Sequence, residues 1–196
     1  MASGIILCVD DDTTVLNSLR TLLGKTLGGG NIVEIAESGP EALEICAELK
    51  QDGRELSVVI SDFIMPGMRG DELLVRLHEI TPRTIKIMLT GQSDLDGVKR
   101  TINEANLYRF LEKPFNNADL VLTVKSALHA YRQGQELATR NKELEQINTH
   151  LEQLIEARTS ELVEKNKELE RLAVTDRLTG LFNRLKLEQV LDEELS

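Results

Sequence analysis

Residues 5–12 read IILCVDDD, an apolar run of strand length, Ile5 to Val9, closed by three aspartates. Val15, Leu16, Leu19, Leu22 and Leu23 then recur at helical spacing. The same alternation continues outward. Gly28, Gly29 and Gly30 end the first helix as a loop, and Ile32 to Ala36 form the next strand. Ser38, with Glu41 three residues on, is a capping box for a helix through about Leu49. Val58, Val59 and Ile60 make a third strand, and Leu73, Leu74 and Leu77 mark a third helix. Ile85 to Leu89 (IKIML) and Leu107 to Leu111 are the fourth and fifth strands. Strands alternating with helices imply parallel pairing, right-handed crossovers and helices on both faces of the sheet. Five such units in about 125 residues predict an α/β fold, a flavodoxin-like doubly wound five-stranded parallel sheet in the order 2-1-3-4-5. Sites in such sheets form at the carboxyl ends of the strands.

The chain has 196 residues, with 23 Lys and Arg against 33 Asp and Glu, a formal charge of −10. That balance disfavours nucleic-acid backbones and anionic membrane surfaces as partners. No apolar run reaches the roughly 18 residues of a membrane span, and Met1 to Leu7 lacks the basic-then-apolar order of a secretory signal. Cys8 and Cys46 lie inside apolar patterns and read as reduced core residues of a cytoplasmic protein. The four prolines are Pro40, Pro66, Pro82 and Pro114, and no glycine lies between Gly134 and Gly180. Residues 135–179 therefore hold neither helix breaker and are rich in helix formers. We expect a compact domain at 1–125, a long coiled-coil helix at 126–175 and a short remnant at 176–196.

In a parallel sheet the strand ends converge on one edge. That edge would collect Asp10, Asp11 and Asp12, then Ser61 and Asp62, Thr90 and Gly91, and Lys113 and Pro114. Clustered carboxylates repel one another and raise each other's proton affinity. A hard divalent cation relieves that repulsion, and Mg²⁺ takes oxygen ligands while keeping waters. A lysine and a hydroxyl beside them suit a phosphoryl group. His78, His129 and His150 are scattered on helical segments, share no partner, and read as surface or packing residues.

VDDD (9–12), SDFIMPGMRG (61–70), MLTG (88–91) and FLEKPF (110–115) together resemble the receiver domain of two-component response regulators, over residues 5 to about 125. The resemblance implies Asp62 as phosphoacceptor, with Asp11 a direct Mg²⁺ ligand and Asp10 supporting the ion through water. The backbone carbonyl of Ile64 would complete the protein ligands. Thr90 would donate its hydroxyl to the phosphoryl group and Lys113 would pair with it. The Lys113–Pro114 bond is typically cis in that family. Phe110 stands where receivers carry a switch aromatic that turns inward when the threonine is drawn to the phosphate. Asp12 exceeds the minimal acidic pair and reads as solvated. The implied donor is a phosphohistidine on a sensor histidine kinase or phosphotransfer protein. The responding surface would be the face of the fourth helix, fifth strand and fifth helix, which is also expected in homodimerisation.

A helix from about 117 to 175 would extend roughly 85 to 90 Å, too long to bury its seam on so small a domain. Leu137, Leu144 and Leu151 are spaced by seven, with Ile147 and Leu154 at the alternate positions, a heptad pattern. Continuing that frame would put Arg158 and Glu161 in the seam. A second frame, Ile155, Leu162 and Leu169, takes over, accompanied by Asn166 with Ala173 or Lys165 with Leu172. Leu151 to Leu162 spans eleven residues, so four have been inserted, a stutter that locally unwinds a supercoil. We expect a parallel homodimeric coiled coil that carries a signal; the bland alternative is a solvated helix with accidental spacing. His150 is followed by Leu151 and Glu152 with no proline, unlike a kinase phosphoacceptor helix.

VTDRLTGLFNR (174–184) resembles the opening of the GGDEF domain of diguanylate cyclases, through Asp176, Leu178, Thr179, Leu181, Asn183 and Arg184. EARTSELVEKNKELERL (156–172) resembles the signalling helix that precedes such domains. The Gly-Gly-Asp/Glu-Glu-Phe run itself is absent from these residues. The resemblance implies a fragment that does not cyclise GTP, taken from a response regulator whose output makes cyclic di-GMP. The alternative is a receiver adaptor or dimerisation module with a different output.

Overall fold

The computed structural model describes residues 4–28, 30–91 and 102–176, with 181, 183, 184, 187, 188 and 191 beyond them. The elements run β1 (Ile5–Val9), α1 (Thr13–Leu27), β2 (Ile32–Ala36), α2 (Gly39–Gln51), β3 (Leu56–Asp62), α3 (Gly70–Ile80) and β4 (Ile85–Thr90). A short helical stretch at 102–105 (α4), β5 (Leu107–Glu112) and α5 (Asn117–Val174) follow. All four strand pairings are parallel, in the order β2-β1-β3-β4-β5. This is the flavodoxin-like sheet expected from the alternation, followed by the expected long helix.

The sheet buries both faces, and the strand period of two divides its side chains between them. Ile5, Leu7 and Val9 of β1 pack with Ala42, Cys46 and Leu49 of α2 and with Leu73, Leu74 and Leu77 of α3. Ile6 and Cys8 point the other way, onto Leu16, Leu19 and Leu23 of α1 and Leu120, Val124, Ala127 and Leu128 of α5. Each leucine or isoleucine so buried contributes roughly 1.5–3 kcal/mol relative to exposure. The two cysteines are free and buried, as expected.

The strands outrun their apolar cores because backbone bonding continues where side chains turn polar. Ser57 extends β3 backwards, and its hydroxyl accepts from Ile5 N at 3.3 Å. Asp62 and Thr90 are the last residues of β3 and β4. The Ser38 capping box forms: Ser38 Oγ accepts from Glu41 N at 3.4 Å, and Glu41 Oε2 accepts from Glu37 N at 2.7 Å. The reciprocal bond thus reaches one residue further out than the usual box.

The chain divides into two compact units, Met1–Ala138 and Thr139–Ser196. The first holds the sheet and the beginning of α5. Along the rest of α5 the heptad residues stand open to solvent in the single chain, among them Leu144, Leu151, Leu162 and Leu169 at 57%, 46%, 61% and 62% exposure. Among the described residues no helix is long and apolar enough to cross a membrane.

Candidate functional site

β1, β3 and β5 deliver the charged residues at the carboxyl edge of the sheet. Asp10 follows β1 and is 1% exposed. Asp62 closes β3 and is 7% exposed. Lys113 follows β5, and its Nζ lies 2.8 Å from Asp10 Oδ2 and 2.6 Å from Asp62 Oδ1. Asp11, exposed, completes a cluster in which Asp10, Asp11 and Asp62 each offer a carboxylate oxygen within 4.8 Å of the others. Thr90 reaches the same edge through the backbone: Asp62 pairs with Leu89 in the ladder, and Lys113 N donates to Thr90 O at 2.8 Å. Thr90 is buried and its hydroxyl donates to Gly91 O at 3.0 Å. The Lys113–Pro114 peptide is cis, as expected.

Burial pushes the Asp62 carboxyl above its ordinary value, and the Asp10 carboxylate adds to this against the pull of Lys113. Burial would lower Lys113, but the hydrogen bonds it donates to Asp10 and Asp62 outweigh it, and its pKa is raised. One ammonium therefore stands between two buried acids, with a third acid open to solvent. The donor set is all oxygen, the set that Mg²⁺ prefers. Asp10, Asp11 and Asp62 fit that ion by donor chemistry, each offering an oxygen within 4.8 Å of the others.

The loop after Asp62 is fixed tightly. Phe63 N donates to Leu89 O at 2.8 Å and Gly70 N donates to Phe63 O at 3.0 Å. A Cβ on Gly70 would fall 2.0 Å from the Asp62 carbonyl oxygen, so only glycine lets α3 start there. Gly67 has φ +78°, a left-handed turn conformation. The Arg69 guanidinium lies 4.4 Å from the Phe63 ring centroid, and its Nε lies 3.3 Å from Asp71 Oδ1. Ile64, two residues after Asp62, is 62% exposed at the rim. Phe110 lies on the outer side of β5 at 39% exposure.

One sequence expectation needs correction. Asp12 is not merely solvated, because its Oδ1 accepts from Thr14 N at 2.7 Å and caps α1. An aspartate just before the first residue of a helical pattern is a cap signal, and the acidic cluster hid it. His78, read as a surface or packing residue, packs on a buried lysine: its Nδ1 lies 2.8 Å from Nζ of Lys86. Gly70 and the Arg69–Phe63 stack were not singled out, and residue type alone gave no sign of either. Leu178 and Thr179, two of the residues carrying the carboxyl-terminal resemblance, lie outside the described residues.

Comparison with known proteins agrees with this geometry. The family model "Response regulator receiver domain" matches residues 6–125. The DNA-binding transcriptional regulator NtrC of Escherichia coli (strain K12) is 33% identical over 137 residues, 69% of this chain and 27% of the regulator. The signal receiver domain of an HD domain-containing protein from Pseudomonas fluorescens Pf-5 superposes with a TM-score of 0.61 at 32% identity, covering 69% of this chain and 94% of that one. The structure of adenylate cyclase from Rhodopirellula baltica matches with a TM-score of 0.61 at 34% identity, covering 73% and 97%. The chain spans 12% to 30% of the length of the first curated relatives it matches.

Proposed function

Because this chain belongs to the response regulator receiver family, we propose that Asp62 accepts a phosphoryl group from a phosphohistidine and that α5 relays the change to an output domain. The observation that carries this reading is the Lys113 ammonium held between Asp10 and Asp62. A carboxylate that is to attack phosphorus must be ionised, and the ammonium favours that form. A bond forms from an Asp62 oxygen to phosphorus as the bond to the donor histidine nitrogen breaks, and the nitrogen keeps the electron pair. Lys113 then pairs with a phosphoryl oxygen, and Thr90 turns its hydroxyl from Gly91 O to another. Mg²⁺, held by Asp10, Asp11, Asp62 and the Ile64 carbonyl, would supply charge neutralisation at the phosphoryl oxygens. Phosphorylation adds charge at the end of β3, beside Thr90 at the end of β4, the threonine whose movement would draw Phe110 inward. The face of α4, β5 and α5 is the responding element.

Intact-mass spectrometry after acetyl phosphate and Mg²⁺ tests the acceptor. One added phosphoryl group is expected, absent in Asp62→Ala and absent when the metal is chelated. Retention of the label in Asp62→Ala would remove the acceptor assignment.

For the relay, the exposed leucines of α5 support a parallel homodimeric coiled coil, with the stutter between Leu151 and Leu162 permitting two registers. For the output, residues 174–184 favour a diguanylate cyclase. The similarity to NtrC favours a second reading, a receiver joined to a different output. A longer protein carrying these residues separates the two: it should convert GTP to cyclic di-GMP under the first reading and should not under the second.

A further inference from the structure

A cavity of about 200 Å³ lies on the opposite edge of the sheet from Asp62, at the amino-terminal ends of β3 and β4. Its apolar lining includes Leu56, Ile80 and Pro82. Lys50, Arg54 and Arg83 line its mouth. None of these three cations is paired with a carboxylate among the described residues. In a chain of net charge −10, a cavity lined by three cations and one acid, Glu55, is locally positive.

The cavity also contains the acid that should have neutralised them. Glu55 adjoins Arg54 in sequence, yet its Oε2 accepts from Tyr131 Oη at 2.7 Å and from Gln135 Nε2. Two neutral donors on α5 thus hold the carboxylate, and it makes no ion pair with the three cations. Cations with an unmet charge beside an apolar lining select an anion that carries an apolar body. The volume falls below the usual ligand-pocket range of about 300–1,000 Å³, which limits the body to a single ring or a short branched chain.

We propose that this cavity is a binding site for a small organic anion, its apolar part on Leu56, Ile80 and Pro82 and its anionic group paired with Arg54, Arg83 and Lys50. The site does not touch the phosphoacceptor residues. It does touch Tyr131, so the ligand contacts α5 close to the end of the first compact unit.

The test uses the full chain and phenylacetate as the probe. Acetate supplies the charge without the ring, and benzyl alcohol the ring without the charge. Binding is followed by methyl-resolved NMR at Leu56 and Ile80. Phenylacetate should shift those methyls saturably and bind at least tenfold more tightly than either control. Arg54→Gln with Arg83→Gln should weaken phenylacetate at least tenfold, and Lys50→Gln alone should weaken it less. All variants should take up phosphoryl from acetyl phosphate like the parent, which also verifies their folding. Equal affinity for phenylacetate and benzyl alcohol, an unchanged affinity in the double variant, or shifts confined to other methyls would each overturn the assignment.

Discussion

Lys86 is a lysine placed where lysine is expensive, and its titration should be visible in the stability of the fold. It lies on β4 at 1% exposure, with Nζ 2.8 Å from His78 Nδ1, 3.3 Å from Pro82 O and 3.5 Å from Thr81 O. No carboxylate pairs with it among the described residues. Burial pulls its pKa from 10.5 to about 8. Burial, then the Lys86 charge, holds His78 below its usual value, so the neutral ring accepts at Nδ1. At 1.36 kcal/mol per unit the lysine shift corresponds to about 3 kcal/mol. The unfolded chain keeps its proton up to about pH 10.5 and the native state releases it near pH 8. Between those limits the unfolded state binds more protons, so native stability rises with pH. Below about pH 8 the full cost is present. Cys8, Cys46 and Tyr131, raised by burial to about 12, 11 and 12, tilt the curve the other way at alkaline pH. The informative quantity is therefore the difference from Lys86→Met. Near pH 7 that variant removes the charge penalty but leaves His78 Nδ1 and two carbonyls without a donor, a loss of about 1–3 kcal/mol, so the two proteins should be nearly equal. By pH 10.5 the parent should lead by about 3 kcal/mol. Urea unfolding read by pulse labelling of Cys8 and Cys46 reports on the sheet unit alone. A difference that stays flat from pH 7 to 10.5 would refute the reasoning.

Gly70→Ala should push the Asp62 carbonyl out of place and lower the rate of phosphorylation by acetyl phosphate at least tenfold, with a loss of about 2–3 kcal/mol in urea unfolding. Lys113→Met should leave Asp10 and Asp62 facing each other without a counter-charge and slow phosphorylation on the order of 10²-fold, checked by intact-mass time courses. Asp12→Ala should lower the unfolding midpoint through the lost α1 cap while the phosphorylation rate stays within about twofold. Replacing Leu144 and Leu151 by Asn should convert a dimer to a monomer in sedimentation equilibrium, since both occupy one face of the heptad frame.

The sequence made the sheet legible because each strand is short, apolar and bounded by a different class of residue. Ile5–Val9 ends in aspartates, Val58–Ile60 in Ser61 and Asp62, and Leu107–Leu111 in Glu112 and Lys113. Parallel order then carries these terminal residues to one edge, and the site follows from topology with no need for side-chain detail. That is why Asp10, Asp62 and Lys113 were found together. What stayed hidden depends on geometry finer than topology. Whether Asp12 faces solvent or a helix terminus is decided by the backbone angles at one residue. Whether Gly70 is a convenience or a necessity is decided by a 2.0 Å approach to a carbonyl.

Lys86 shows the same limit from the other side. Within IKIML an apolar strand is interrupted by lysine, a residue type that ordinarily faces solvent. The ladder instead sets Lys86 between Val59 and Leu107, in the interior of the sheet. Its long stem lets the ammonium reach the carbonyls that follow α3, so the charge stays buried but gains hydrogen-bond acceptors. The same carbonyl loop, residues 81–84, forms one wall of the cavity lined by Arg54 and Arg83. Charge on Lys86 thus contributes to the field at that cavity, and an anion bound there should ease the cost of keeping Lys86 protonated. Phenylacetate should therefore raise the pH at which the parent begins to gain on Lys86→Met, and a midpoint unmoved by saturating probe would separate the two features.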